Sequence, residues 1–201
     1  MFFIIKSAFI QMKLRGIKMN KKQFELFIEE ENQKTVAMLD DLQPASKNDV
    51  DNIIQRISNI LDLDVNGLGI MYDEPFQSTT TMSAYQRDKD ILIINPNYMF
   101  SKDLIFFSVA HELRHRWQNE HYGEKAFKDY KNRISLDLDK YNEQSVEIDA
   151  NAFALAIMDS LYNGWDIRIK IKCNGADVRK NVLQTNGVSE RYDELIKLYF
   201  S

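Results

Sequence analysis

Ser101-Lys102-Asp103-Leu104-Ile105-Phe106-Phe107-Ser108-Val109-Ala110-His111-Glu112-Leu113-Arg114-His115-Arg116-Trp117-Gln118 reads as one helix. Ser101 can cap its start, Asp103 puts negative charge where the first turn leaves N–H groups unpaired, no proline interrupts it, and Gly123 lies just beyond its polar end. Phe106, Ala110, Leu113 and Trp117 recur at helical spacing and predict a buried stripe, with Leu104, Ser108, His111 and His115 on an adjoining face. The string His111-Glu112-Leu113-Arg114-His115 is H-E-x-x-H. On a helix, residues four apart project from one face, so two imidazoles can converge on one tetrahedral metal ion with Glu112 leaning over it. A carboxylate beside a water polarised by that ion can take its proton, which makes the pattern a hydrolytic device as well as a metal clip. All three histidines of the chain, His111, His115 and His121, fall in this neighbourhood. A solvated surface position suits a lone histidine better than such a cluster.

A catalytic zinc takes three protein ligands and keeps a fourth position open, so a further ligand is expected downstream. His121 lies ten residues after His111, the offset used by metzincin peptidases, but Gln118 stands where that family has the glycine that turns the chain. Glu147 belongs to a second predicted helix, in which Val146, Ala150, Phe153, Ile157 and Leu161 form an apolar stripe and Asn163-Gly164 supplies a stop. Asp149 in the same segment is a third candidate. The residues alone leave these alternatives open.

Three segments together resemble the ImmA/IrrE-like metallopeptidases, a family of zincin fold. Ile91-Leu92-Ile93-Ile94-Asn95 is similar to the family's strand ending in Asn, and Phe107 to His115 resembles its metal helix. Glu147-Ile148-Asp149-Ala150-Asn151-Ala152-Phe153-Ala154 is similar to its E-x-x-A-N-x-F-A helix. By that resemblance, which covers about residues 48–162, His111, His115 and Glu147 would bind one zinc ion per chain in gluzincin fashion. Glu112 would be the general base and acid, and Asn151 a supporting residue. Manganese or iron(II) suits the same nitrogen and oxygen ligands. The implied fold class is α+β and zincin-like: a small mixed sheet of three to four strands packed on helices, among them the metal helix and the second ligand helix. The implied activity is hydrolysis of a peptide bond in a protein substrate, with a helix-turn-helix repressor of a mobile element or of stress genes as the implied partner. Arg114 stands where the family carries a small residue.

Elsewhere the chain sets bounds on this picture. Its 201 residues, 44% hydrophobic, suit one domain with a sizeable core and extensions: residues 1–47 as an N-terminal extension and helix, 48–162 as the metallopeptidase-like domain, and 163–201 as a C-terminal extension without an assigned role. A net charge of −4 argues against general attraction to nucleic acid or to an anionic membrane. Cys173 is the only cysteine, so no internal disulfide can form, which favours a reducing, cytoplasmic location. The opening run Met1-Phe2-Phe3-Ile4-Ile5 is split by Lys6 and too short to span a bilayer, and Met19 reads as an ordinary cytosolic start.

Lys22 to Leu42 predicts a charged helix, and a second, capped by Asn48 or Asp49, carries Val50, Ile53, Ile54, Ile57, Ile60 and Leu61 on one face. Leu68–Tyr72, Thr79–Tyr85 and Asp90–Ile94 predict strands. Ile91 to Asn95 suits either an edge that binds substrate backbone or a strand buried on both faces. The Lys- and Asp-rich stretch from Gly123 to Tyr141 predicts a short helix and a mobile, gating loop. Asp166 to Lys172 alternates like an exposed strand, and Ser189 to Phe200 predicts a capped amphipathic helix. His121 and Tyr122 are candidate oxyanion donors at the mouth of the site. The rival from another class is a regulatory module in which the metal only shapes a protein-binding surface. The retained Glu112 favours an enzyme, since a pure binder has no chemical need for that carboxylate.

Overall fold

The computed structural model describes residues 44–75, 81–131, 138–161 and 178–200. The N-terminal lead, the helix expected from Lys22 to Leu42 and the strand expected from Asp166 to Lys172 lie outside these residues.

Helix α1 (Lys47–Leu61) begins at a reciprocal cap. The Ser46 hydroxyl accepts from the Asp49 N–H at 3.2 Å, and the Asp49 carboxylate accepts from the Ser46 N–H at 2.8 Å. The cap is thus Ser46, earlier than the expected Asn48 or Asp49, because Asp49 serves as the acidic partner of a capping box. Lys102, 2.8 Å from Asp49, and then Ser46 hold the Asp49 carboxyl well below its ordinary pKa. A depressed carboxylate stabilises the fold above its unfolded pKa near 3.8, and that contribution is lost as the pH falls through the lowered value. Ser46→Ala is expected to cost about 1 kcal/mol in urea unfolding, the usual cost of losing such a cap. Val50, Ile53, Ile54, Ile57 and Leu61 form the buried face of α1.

Among the described residues the sheet has three strands, β1 (Gly69–Tyr72), β2 (Ser83–Gln86) and β3 (Ile91–Ile94), in the order β1-β3-β2. β1 runs parallel to β3 with Gly69 opposite Ile91, and β2 runs antiparallel to β3 with Ser83 opposite Ile94. Among the described strands the Ile91 to Ile94 run is therefore the central one, which decides between its two readings in favour of a strand buried on both faces. Leu92, Ile93 and Ile94 are buried, and the central position shields such a run on both sides of the ladder. The described sheet edge beside the helix that carries His111 and His115 is β2.

Helix α2 (Lys102–Tyr122) starts where the Ser101 hydroxyl accepts from Leu104 N–H and stops at Gly123, which has φ +57°. Its burial differs from the expected stripe. Every residue from Asp103 to Ala110 is buried, as are Glu112 to His115, while Trp117 is only half-buried. α1, β2 and α4 (Ser145–Leu161) each pack against it, so the helix is enclosed on several sides. Between α2 and α4, the described part of the linker forms a 3₁₀ turn at Gly123–Lys125 and the short α3 (Leu138–Asn142).

Ala150 to Met158 of α4 are buried without a break, which fits a helix packed between α2 and the C-terminal α6 (Val188–Tyr199). A short α5 (Val178–Leu183) precedes α6. Val188 and Leu195 of α6 are fully buried in the same hydrophobic cluster as α1, β3, α2 and α4. The C-terminal helix thus belongs to the core. At its start Gly187 has φ +83°, and an added Cβ would stand 3.3 Å from Ile148. The architecture is α+β, a small mixed sheet against helices. Among the described residues no helix is long and apolar enough to cross a membrane.

Candidate metal centre

One turn of α2 separates His111 from His115, and their rings meet edge to face with centroids 4.6 Å apart. Their Nε2 atoms are 3.0 Å apart. Glu147, in the first turn of α4, reaches the same point from the facing helix, with Oε2 3.2 Å from His111 Nε2 and Oε1 3.3 Å from His115 Nε2. A helix N-terminus favours a carboxylate there. The Glu147 side chain is 1% exposed, and burial alone would push its pKa up. His115 and then His111 overcome that and hold it well below the ordinary range. Burial likewise opposes the charge on His115, but Glu147, followed by Glu112 and Gln118, pushes its pKa up to about 9.

Glu112 is buried beside this point, and its Oε1 accepts from the Ser83 hydroxyl of β2 at 3.0 Å. His111, Glu112 and His115 offer ligand atoms within 4.8 Å of one another, a group that could hold a metal ion. Glu147 is the nearer carboxylate, since both its oxygens lie within hydrogen-bonding range of the imidazoles. Its Oε2 is buried and accepts no hydrogen bond, although His111 Nε2 stands 3.2 Å away, so its lone pairs face the imidazoles unused. Donor atoms sharing one tetrahedral ion at bond lengths of about 2.0–2.2 Å stand about 3.3–3.6 Å apart. The separations of 3.0, 3.2 and 3.3 Å approach that spacing, and the donor set of two imidazoles and a carboxylate suits a divalent cation.

The four atoms open into a cleft of about 270 Å³. β2 lines one side with Ser83, Ala84 and Tyr85, and Phe127, Tyr130, Tyr141 and Asn151 line others. The Tyr130 hydroxyl donates to Glu147 Oε1 at 3.0 Å and lies 2.9 Å from the Tyr141 hydroxyl. Burial, then the Glu147 charge, raises the pKa of both phenols, which keeps them protonated as donors at neutral pH.

The sequence candidates separate in space. His111, Glu112, His115 and Glu147 come together, and Asn151 lines the same cleft. His121 is exposed, stacks on Trp117 at 4.2 Å with its Nδ1 2.9 Å from the Trp117 carbonyl, and takes no part in the cluster. Tyr122 is exposed and packs edge-on against Trp117, outside the cleft lining. Asp149 is engaged elsewhere, by Arg114, Arg191 and Gln118. Arg114, which replaces a small residue of the resembled family, turns away to form that pair and stacks 3.9 Å over the Trp117 ring.

Sequence reasoning missed Ser83, Tyr130 and Tyr141. Two tyrosines in an otherwise Lys- and Asp-rich linker were the available signal for the phenol pair, since both rings are half-buried at the cleft and not solvated like their charged neighbours. No family model, curated protein or solved structure matches the chain.

Proposed function

We propose that the chain is a zinc-dependent endopeptidase of zincin type, cutting a peptide bond in a protein substrate. The supporting observation is the meeting of His111, His115 and Glu147 within 3.3 Å, one Glu147 oxygen lacking a donor, with Glu112 buried at the same cleft. His111, His115 and Glu147 would hold the ion. When bound there, zinc supplies Lewis acidity that brings the pKa of a water from 15.7 to about 7 and polarises a carbonyl.

Every other part of the work falls to the chain. Glu112 takes the proton of the attacking water and returns it to the departing amine, so it ends the cycle as it began. The Ser83 hydroxyl holds the Glu112 carboxylate toward the cleft by donating to Oε1. The Tyr130 hydroxyl commits its one proton to Glu147, which leaves the neighbouring Tyr141 hydroxyl as the O–H of the pair able to turn toward an oxyanion. β2 pairs with β3 on one side only, so among the described strands its other edge is free beside the cleft. A segment of extended substrate could add there by backbone pairing, which gives affinity with little reading of side chains. A regulatory protein, such as the repressor class implied by the family resemblance, is a substrate of this kind.

The test is cleavage of a mixed peptide library by the full chain loaded with zinc, read by mass spectrometry for new internal termini. Cleavage that stops when zinc is chelated and returns when it is restored is the expected result. Absence of new termini across the library, with zinc bound, would overturn the peptidase reading in favour of a metal-shaped binding module.

A further inference from the structure

We propose that Gln118 is a positioning residue that fixes His115 as its Nδ1–H tautomer, leaving the Nε2 lone pair turned toward His111 and Glu147. This rests on the metal-site reading above. Gln118 is 2% exposed and lies one turn beyond His115 on α2. Its amide nitrogen faces two acceptors, the Val146 carbonyl at 3.0 Å and Asp149 Oδ2 at 2.8 Å. A carboxamide has two N–H hydrogens, so both are engaged. Amide oxygen and nitrogen differ little in shape, but a flipped Gln118 would set its oxygen against two acceptor oxygens in a buried space. The orientation is therefore forced.

The remaining atom, Gln118 Oε1, stands 2.9 Å from His115 Nδ1 and can only accept. Nδ1 must then carry the hydrogen. An imidazole that ligates a metal ion through nitrogen is neutral and keeps one N–H, so with Nδ1 protonated the nitrogen left for the ion is Nε2, the atom 3.3 Å from Glu147 Oε1 and 3.0 Å from His111 Nε2. Asp149, which anchors the Gln118 amide, is itself clamped. Arg114 donates to it through Nε at 2.6 Å and Nη2 at 3.1 Å, and Arg191 of α6 donates from Nε to Oδ1 at 2.6 Å. The ring of His115 is thus oriented through an amide and a carboxylate held from the C-terminal helix. Second partners of this type commonly change metal affinity about 10–100-fold when removed.

The test uses the full chain, labelled with nitrogen-15 and loaded with one equivalent of zinc, with the ring nitrogens of His115 read by long-range proton–nitrogen correlation. The wild-type chain is expected to show a proton on Nδ1 that exchanges slowly with solvent. Gln118→Met keeps the length of the side chain but removes its acceptor. It is expected to raise the zinc Kd about 10–100-fold in chelator competition and to make that proton exchange fast. An unchanged Kd with unchanged exchange overturns the proposal. So does a wild-type His115 that carries its proton on Nε2 while zinc is bound, an observation that stands even if the variant does not fold. A wild-type chain that binds no zinc defeats the metal-site reading itself and this inference with it.

Discussion

Asp149→Ala is expected to destabilise the metal-free chain by about 3–5 kcal/mol, the range for removing one member of a buried ion pair. The side chain of Arg114 is 1% exposed, and Asp149 meets it through two bonds of 2.6 and 3.1 Å. Its guanidinium lies 3.9 Å over Trp117 and 5.1 Å from the centre of Phe153. After the substitution its nearest remaining polar partner is the Tyr199 hydroxyl at 3.2 Å, which is neutral. A buried cation without a counter-ion loses its hydration and gains little in return. The Gln118 amide and Arg191 lose an acceptor in the same step. Against a total stability of about 5–15 kcal/mol, such a loss is a large share. Urea unfolding with the zinc removed measures it directly. Changing Arg114 to Met together with Asp149 to Leu is expected to recover most of the loss, because the cost lies in the stranded charge and not in the missing attraction. An Asp149→Ala chain as stable as wild type would show that the pair does not hold α2 against α4.

Glu112→Gln is expected to retain one zinc per chain while peptide hydrolysis falls by about 10²–10⁴, the range for losing a general base. That fall corresponds to about 2.7–5.5 kcal/mol of transition-state stabilisation. The amide has the shape of the carboxyl and can still accept from the Ser83 hydroxyl, so the cleft is expected to keep its form. It cannot take a proton. kcat/KM on any cleaved peptide, measured beside zinc content, separates this effect from metal loss. His111→Ala provides the contrast, since it is expected to lose zinc and activity together. Full activity in Glu112→Gln would remove Glu112 from the chemistry.

The helices and the histidine pair were legible because their causes are local. Ser101 and Gly123 bound α2, and the spacing of His111 and His115 brings two rings to one face of any helix. Glu147 was legible through its place in a motif, since nothing in its immediate neighbourhood distinguishes it from a solvated glutamate. What failed depends on partners distant in sequence. The run Ile91 to Ile94 announces burial, but its central place is set by pairing with β1 and β2, which a single strand does not encode. The stripe expected on α2 became unbroken burial from Asp103 to Ala110 because α1, α4 and β2 all pack against the helix. Gln118 read only as an obstacle to a turn, while its bonds go to Val146 and Asp149 on another helix. Arg114 read as an oddity for the same reason, its partners lying 35 and 85 positions further along the chain.

The measurement that bears most directly on the site is zinc analysis, with X-ray absorption at the zinc edge, of the full chain beside Glu147→Ala. The wild-type chain is expected to hold one zinc in a shell of nitrogen and oxygen donors at about 2.0–2.2 Å that includes two imidazoles, and Glu147→Ala is expected to lose most of its metal. A wild-type chain that takes up no zinc, or a Glu147→Ala chain that binds it as tightly as wild type, would contradict the assignment of His111, His115 and Glu147 as its ligands.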